Sequence, residues 1–238
     1  MSDNNSLTSP TEGPAAAVAG AIEVSTIIKE QTRIKEALPG NSVLFEESDL
    51  RSLSDEDIEI LEANLNLCPN WSQVRVVAGF DPSRIRESRF HGRVVLGRFD
   101  EDAGIEPGLE VYTGVFRSLI SNCEIGDNAT VHDVRGLSNM IVKSRAIVFN
   151  CGSVICTGKT AFGNGIELPI AIETGGREVK TYAEITVEVA ADIASSRDEK
   201  EKISEYNRLV NEYTERVSSE YGIIGERAVV LNTPRVEN

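Results

Sequence analysis

The sequence predicts a mainly β protein, a left-handed parallel β-helix with a helical insertion. Three observations predict it. From Leu119 the chain divides into sixes, LISNCE, IGDNAT, VHDVRG, LSNMIV, KSRAIV, FNCGSV and ICTGKT. Six of the seven first positions (Leu119, Ile125, Val131, Leu137, Lys143, Phe149, Ile155) are large and apolar. IGDNAT has the Ile-Gly-x-x-Ala form of a hexapeptide repeat, and IGERAV at 224–229 returns to it after a long helical pattern. A period of six suits a triangular coil, in which each side is a short strand plus a turn and one aliphatic residue per side points inward. Small residues such as Ala129 fit near the corners, Gly or Asn takes the corner backbone angles, and stacked coils bury a column that no single coil can bury. The alternative is an ordinary β-sandwich with closely spaced strands.

Taken in order, residues 1–40 read as a leader. Residues 1–20, rich in Ser, Asn, Pro, Gly and Ala, are expected to be disordered. A short amphipathic helix is expected over 21–37, with Ile27, Ile34 and Leu38 as its apolar residues, stopped by Pro39-Gly40. Residues 41–70 hold a capping helix, with Ser54 as N-cap, three acids in its first turn and Ile58, Leu61 and Leu65 as the buried stripe. From Trp71 the pattern turns to short strands at 72–80, 84–86 and 92–97, with an acidic turn-rich connection over 98–108. The β-helix coils occupy 71–160 and a glycine-rich loop 161–180. A helical insertion follows over 181–221, with Ile185, Val189 and Ile193 at steps of four, then Ile203, Tyr206, Leu209, Val210, Tyr213 and Val217. The β-helix resumes at 222–238 and stops after a side or two without a cap. That is expected of the front part of a longer protein or of an end covered by a partner.

Composition narrows the function. The net charge of −14 argues against nucleic acid and against an anionic membrane surface. No apolar run approaches the length of a membrane span, and the first twenty residues lack the basic start and apolar core of a signal peptide. Cys68, Cys123, Cys151 and Cys156 have no paired metal spacing and read as reduced thiols of a cytoplasmic protein, with no metal expected. Neither GxxxxGK[ST] nor GxGxxG occurs, so no nucleotide fingerprint or cofactor is identified.

The acidic helix followed by Trp71-Ser72, FDPSRIRESRF, a glycine-bounded strand, the hexads, and then FNCGS, TAFGNGIEL and IETGGREV resemble a bacterial family of left-handed β-helix proteins known only as a domain of unknown function. The resemblance covers about residues 45–238. A more distant resemblance is to hexapeptide-repeat transferases and β-helical sugar-nucleotide enzymes, which implies an architecture and only loosely an activity.

Candidate chemistry follows from residue type. A β-helix acyltransferase needs a histidine base, and His132, next to inward Val131, is expected to point outward; an interface histidine is the alternative. Arg84, Arg86, Arg89, Arg93 and Arg98 form a basic cluster suited to a phosphate or carboxylate, or to pairing with the acids of 46–62 or 100–106. In AFGNGIELPIAIETGGREVK, Asn164 would orient a substrate, Glu167 and Glu173 would serve as carboxylates, and Gly175, Gly176 and Arg177 would form an anion nest. The run is otherwise a connector into the helices. The leading expectation is a transferase-like protein acting on a small anionic, sugar- or nucleotide-linked molecule. His132 and Glu173 would be catalytic, with Asn164, Glu167, Gly175, Gly176, Arg177 and Arg89 binding substrate. Its rival is a noncatalytic homo-oligomeric scaffold.

Overall fold

The computed structural model describes residues 12–38, 40–169, 178–196 and 198–237. The chain divides into two compact units, one of Met1–Lys35 with Thr160–Ser219 and one of Glu36–Lys159 with Glu220–Asn238.

The first unit is built on helices Pro14–Val24, Thr26–Ala37, Val187–Ser195 and Lys200–Val217, with an antiparallel pair Glu167–Pro169 and Glu178–Lys180. Tyr206, Leu209, Val210, Tyr213 and Val217 form the buried stripe of the longest helix, as the three-and-four spacing predicts. The leader differs from expectation. PAAAVAGAIEV is helical, and its Ala15, Val18, Ala21 and Ile22 are buried in this core. Three alanines behind a proline at the first helical position outweigh the glycines in helix propensity. A separate helix follows, because Ser25 adopts extended angles and its buried hydroxyl bonds the Tyr213 hydroxyl at 3.1 Å.

The second unit consists mainly of short parallel strands. Glu124 pairs with Ile141, Thr130 with Ile147 and Ile120 with Leu137, so each of three ladders steps by 17 residues. The ladders align three columns of inward residues. One runs Val76, Leu96, Ile125, Val142, Ile224. A second runs Ile85, Val115, Val131, Val148, Val230. The third runs Phe90, Ile120, Leu137, Val154, Val236. All are buried until the last pass, where Val230 is half-buried and Val236 exposed. At about 1.5–3 kcal/mol per buried aliphatic side chain, these columns are the main stabilising term of the unit.

The strict hexad frame is corrected here. Inward positions fall at 120, 125, 131, 137, 142, 148 and 154, in steps of five, six and six. Leu119, Lys143, Phe149 and Ile155 therefore point away from the columns, one residue behind or ahead of the buried ones. One of the three spacings is a residue shorter than the other two, and β alternation turns a slip of one residue into a change of face.

The corners are carried by asparagine and charged residues in the left-handed region. Arg117, Asp133, Asn150 and Asn232 (φ 47°, 54°, 52° and 51°) follow the second column, and Asn122 and Asn139 follow the third. The glycine of Ile-Gly-x-x-Ala has a packing reason. A Cβ on Gly126 would lie 2.7 Å from the Ser144 amide nitrogen of the next pass.

Two further expectations change. The acidic connection contains an antiparallel hairpin, Asp102–Glu106 with Leu109–Tyr112. The capping helix Asp55–Ala63 has the expected Ser54 cap, with Asp57 completing a capping box, and Leu61 is buried. Leu65 lies past its end at φ 63° and is exposed.

Candidate functional site

The second-column corner brings together more chemistry than any expected site. The outward row beside it is set by register, with Arg86, Phe116, His132, Phe149 and Leu231 on successive strands. His132 leaves the column as expected, yet it is buried, because the 102–112 hairpin carries Tyr112 over it. Its Nε2 lies 2.8 Å from the Tyr112 carbonyl, which can only accept, so Nε2 carries the proton. The ring lies 4.2 Å from the Phe116 ring and 6.2 Å from that of Phe149. Burial lowers its pKa to about 4, with Arg117 acting in the same direction against the Tyr112 bond and Asp133. Arg84 holds the hairpin from the other side, 3.1 Å from Asp102 and 4.6 Å above the Tyr112 ring.

Beneath the hairpin a cavity of about 700 Å³ is lined by Arg86, Glu87, Glu110, Tyr112, Arg117 and His132 among others. A second, of about 470 Å³, continues along the corner past Asp133, Arg135, Asn150, Asn232 and Thr233. Arg117 borders both. Its Nε and Nη2 meet Asp133 Oδ1 and Oδ2 at 2.6 and 2.7 Å, a fork that holds the Asp133 carboxyl below its usual pKa.

The expected residues are dispersed. His132 and Arg89 belong to the second unit and Asn164 and Glu167 to the first. Glu173, Gly175, Gly176 and Arg177 lie outside the described residues. Arg89 is exposed on a strand that pairs Leu119–Ser121 and lines neither cavity. Asn164 is buried, and its Nδ2 donates to the Ala161 carbonyl at 2.7 Å, so its amide nitrogen closes its own turn. Glu167 is exposed on an antiparallel strand opposite Lys180. Much of the arginine cluster is occupied, since Arg84 pairs with Asp102, Arg98 with Asp100 and Arg93 with Glu124.

Glu124 was not singled out by sequence reasoning. It is fully buried and accepts from Ser42 Oγ, the Val43 and Leu44 amides and Arg93 Nη1 at 2.8–3.1 Å. It ties the 41–45 segment to the parallel core. Arg135 and the corner residues were also missed. The available signal was a 17-residue recurrence of turn formers, Asn122 to Asn139 and Asp133 to Asn150, which a six-residue frame hides.

A family model described as "Domain of unknown function (DUF4954)" matches residues 50–238. The chain belongs to this family. The DUF4954 match spans the capping helix, the hairpin, the corner with both cavities, the 161–180 run and the helical insertion. The chain is also similar to an uncharacterized protein of Treponema pallidum (strain Nichols), 27% identical over 191 residues. That alignment covers 76% of this chain and 26% of the relative, so the chain spans about a quarter of that protein's length. No solved structure matches. Among the described residues, no helix is long and apolar enough to cross a membrane, and no group of three or more His, Cys, Asp or Glu is placed to hold a metal ion.

Proposed function

We propose that the second unit is the expected left-handed parallel β-helix and that it serves as a noncatalytic homo-oligomeric scaffold. The observation that carries this reading is the condition of His132. Its Nε2 proton is committed to Tyr112, its ring is wedged between two phenylalanines, and its pKa of about 4 leaves a weak base at neutral pH. Such a histidine fastens a hairpin to a sheet. Beyond the hairpin the same face offers Ile147, Phe149, Val229 and Leu231, half-buried or exposed, as an apolar surface for a second copy. Four free thiols suit a cytoplasmic setting. Light scattering coupled to size exclusion tests the reading. The full chain is expected above the mass of one copy, and Phe149→Asp at the mass of one. A wild-type monomer at tens of micromolar would overturn it.

The transferase-like reading, acyl or nucleotidyl transfer on a sugar- or nucleotide-linked molecule, draws support from the 700 Å³ cavity. Exposed Arg86 stands there beside Glu87 and Glu110. A thermal-shift screen with sugar nucleotides and acyl thioesters tests it. A ligand at a hundredfold excess over its Kd stabilises by about 3 kcal/mol, and Arg86→Gln is expected to abolish that shift. No response to any compound in the set would remove this reading.

A further inference from the structure

The second corner cavity carries an inference that depends on neither reading, since it rests on the ladder geometry alone. Its polar groups are arranged so that donors are left over. Asp133 is spent, because both its oxygens accept from Arg117 at 2.6 and 2.7 Å. Asn150 Nδ2 donates to Asn232 Oδ1 at 2.7 Å, which uses the acceptor of Asn232 and leaves its own Nδ2 with two hydrogens. Thr233 Oγ1 donates to the Leu231 carbonyl. Arg135, exposed on the long strand Thr130–Ser138, has no hydrogen bond or ion pair with any described residue. The Arg117–Asp133 pair is neutral, so the cavity has a net charge of +1 from Arg135 in a chain of net charge −14. An unpaired guanidinium in so acidic a protein has many carboxylates to choose from, and here the fold holds it beside a carboxylate that is already saturated.

We infer that the corner cavity around Arg135 is a binding site for a small oxyanion, a phosphoryl or carboxylate group. The Arg135 fork would grip it from one side and the Asn232 amide from the other. The guanidinium presents parallel N–H donors at the spacing of two oxygens on one phosphorus or carbon atom. Gly152 lies against the Pro234 carbonyl, where a Cβ would clash, so its lack of a side chain serves the close approach of the two segments. The Gly152 amide is itself bonded to the Thr233 carbonyl at 2.9 Å, so recognition falls to the side chains.

The test is isothermal titration calorimetry on the full chain with inorganic phosphate and, separately, succinate, at ionic strength held constant with chloride. Wild type is expected to bind at least one of them saturably in the millimolar range or tighter. Arg33→Gln, which removes an exposed arginine of the helix Thr26–Ala37, is expected to bind as wild type does. Arg135→Gln is expected to weaken binding at least tenfold, with Arg135→Lys in between because it keeps the charge and loses the fork. Phosphate alone would identify a phosphoryl ligand and succinate alone a carboxylate; either supports the site. Absence of saturable binding by both anions would overturn it, as would equal weakening by Arg33→Gln and Arg135→Gln.

Discussion

Ile120 and Leu119 are adjacent aliphatic residues that distinguish a strict six-residue repeat from the 17-residue pass. The hexad frame puts Leu119 inside, whereas the ladders put Ile120 between Phe90 and Leu137 with no exposed surface and leave Leu119 36% exposed. Ile120→Ala removes three buried carbons at about 0.8 kcal/mol each and leaves a cavity between two stacked neighbours, so it should cost about 2–5 kcal/mol. Leu119→Ala should cost about 1 kcal/mol or less. Trp71 is the only tryptophan, packs on this core and lies 6.0 Å from the Phe90 ring, so its fluorescence reports the second unit. Urea titrations followed by this signal should show a lower midpoint for Ile120→Ala at unchanged slope and little movement for Leu119→Ala. The pair Val154→Ala and Ile155→Ala repeats the comparison two ladder steps further along the same column, with Val154 the costly one. A Leu119→Ala loss equal to or above that of Ile120→Ala would refute the 17-residue register.

Further predictions concern the corners and the buried polar groups. Gly126→Ala places a methyl against the backbone of the next pass and should destabilise by about 1–3 kcal/mol or more. Gly225→Ala, with nothing within 4 Å of its Cβ, should unfold near the wild-type midpoint in the same titration. His132 contributes stability that is complete above about pH 6.5 and is lost as pH falls toward about 4, because the unfolded chain takes the proton more readily. That contribution is about 3 kcal/mol, and a pH series of midpoints for wild type and His132→Phe should show the variant's flatter dependence. Glu124→Ala should cost about 3–5 kcal/mol by leaving Arg93 and two amides without their acceptor. The double change with Arg93→Met should recover part of that loss, and limited proteolysis at 41–45 should read the same order.

Much of this architecture was legible in the residues. The helical stripe from Tyr206 to Val217 follows directly from spacing, and the Ser54 cap with acids behind it places a helix start to the residue. The return of Ile-Gly-x-x-Ala at Ile224 matches a strand that lies alongside Met140–Val142 across the long insertion. Where sequence reasoning failed, the cause is specific. The alanine-rich segment at 14–24 was hidden by the Ser-, Asn-, Pro- and Gly-rich composition of residues 1–20, and the hairpin at 102–112 by its acids. The hairpin brings the Tyr112 carbonyl onto His132, a job defined by another part of the chain. The corner site was missed because Arg117, Asp133, Asn150 and Asn232 lie 16, 17 and 82 residues apart in succession and share only a backbone angle.

Local spacing, capping residues and composition by themselves determined that the chain alternates short strands with turns, departs into helices and returns. These are properties of neighbours within a few residues, where periodicity and backbone preference act. Which of two adjacent aliphatic residues faces inward, which arginines are neutralised and which remain free, and whether the histidine can act as a base were decided only by tertiary structure. Each depends on register between strands 16 or more residues apart, and a shift of one residue there exchanges the buried face for the exposed one.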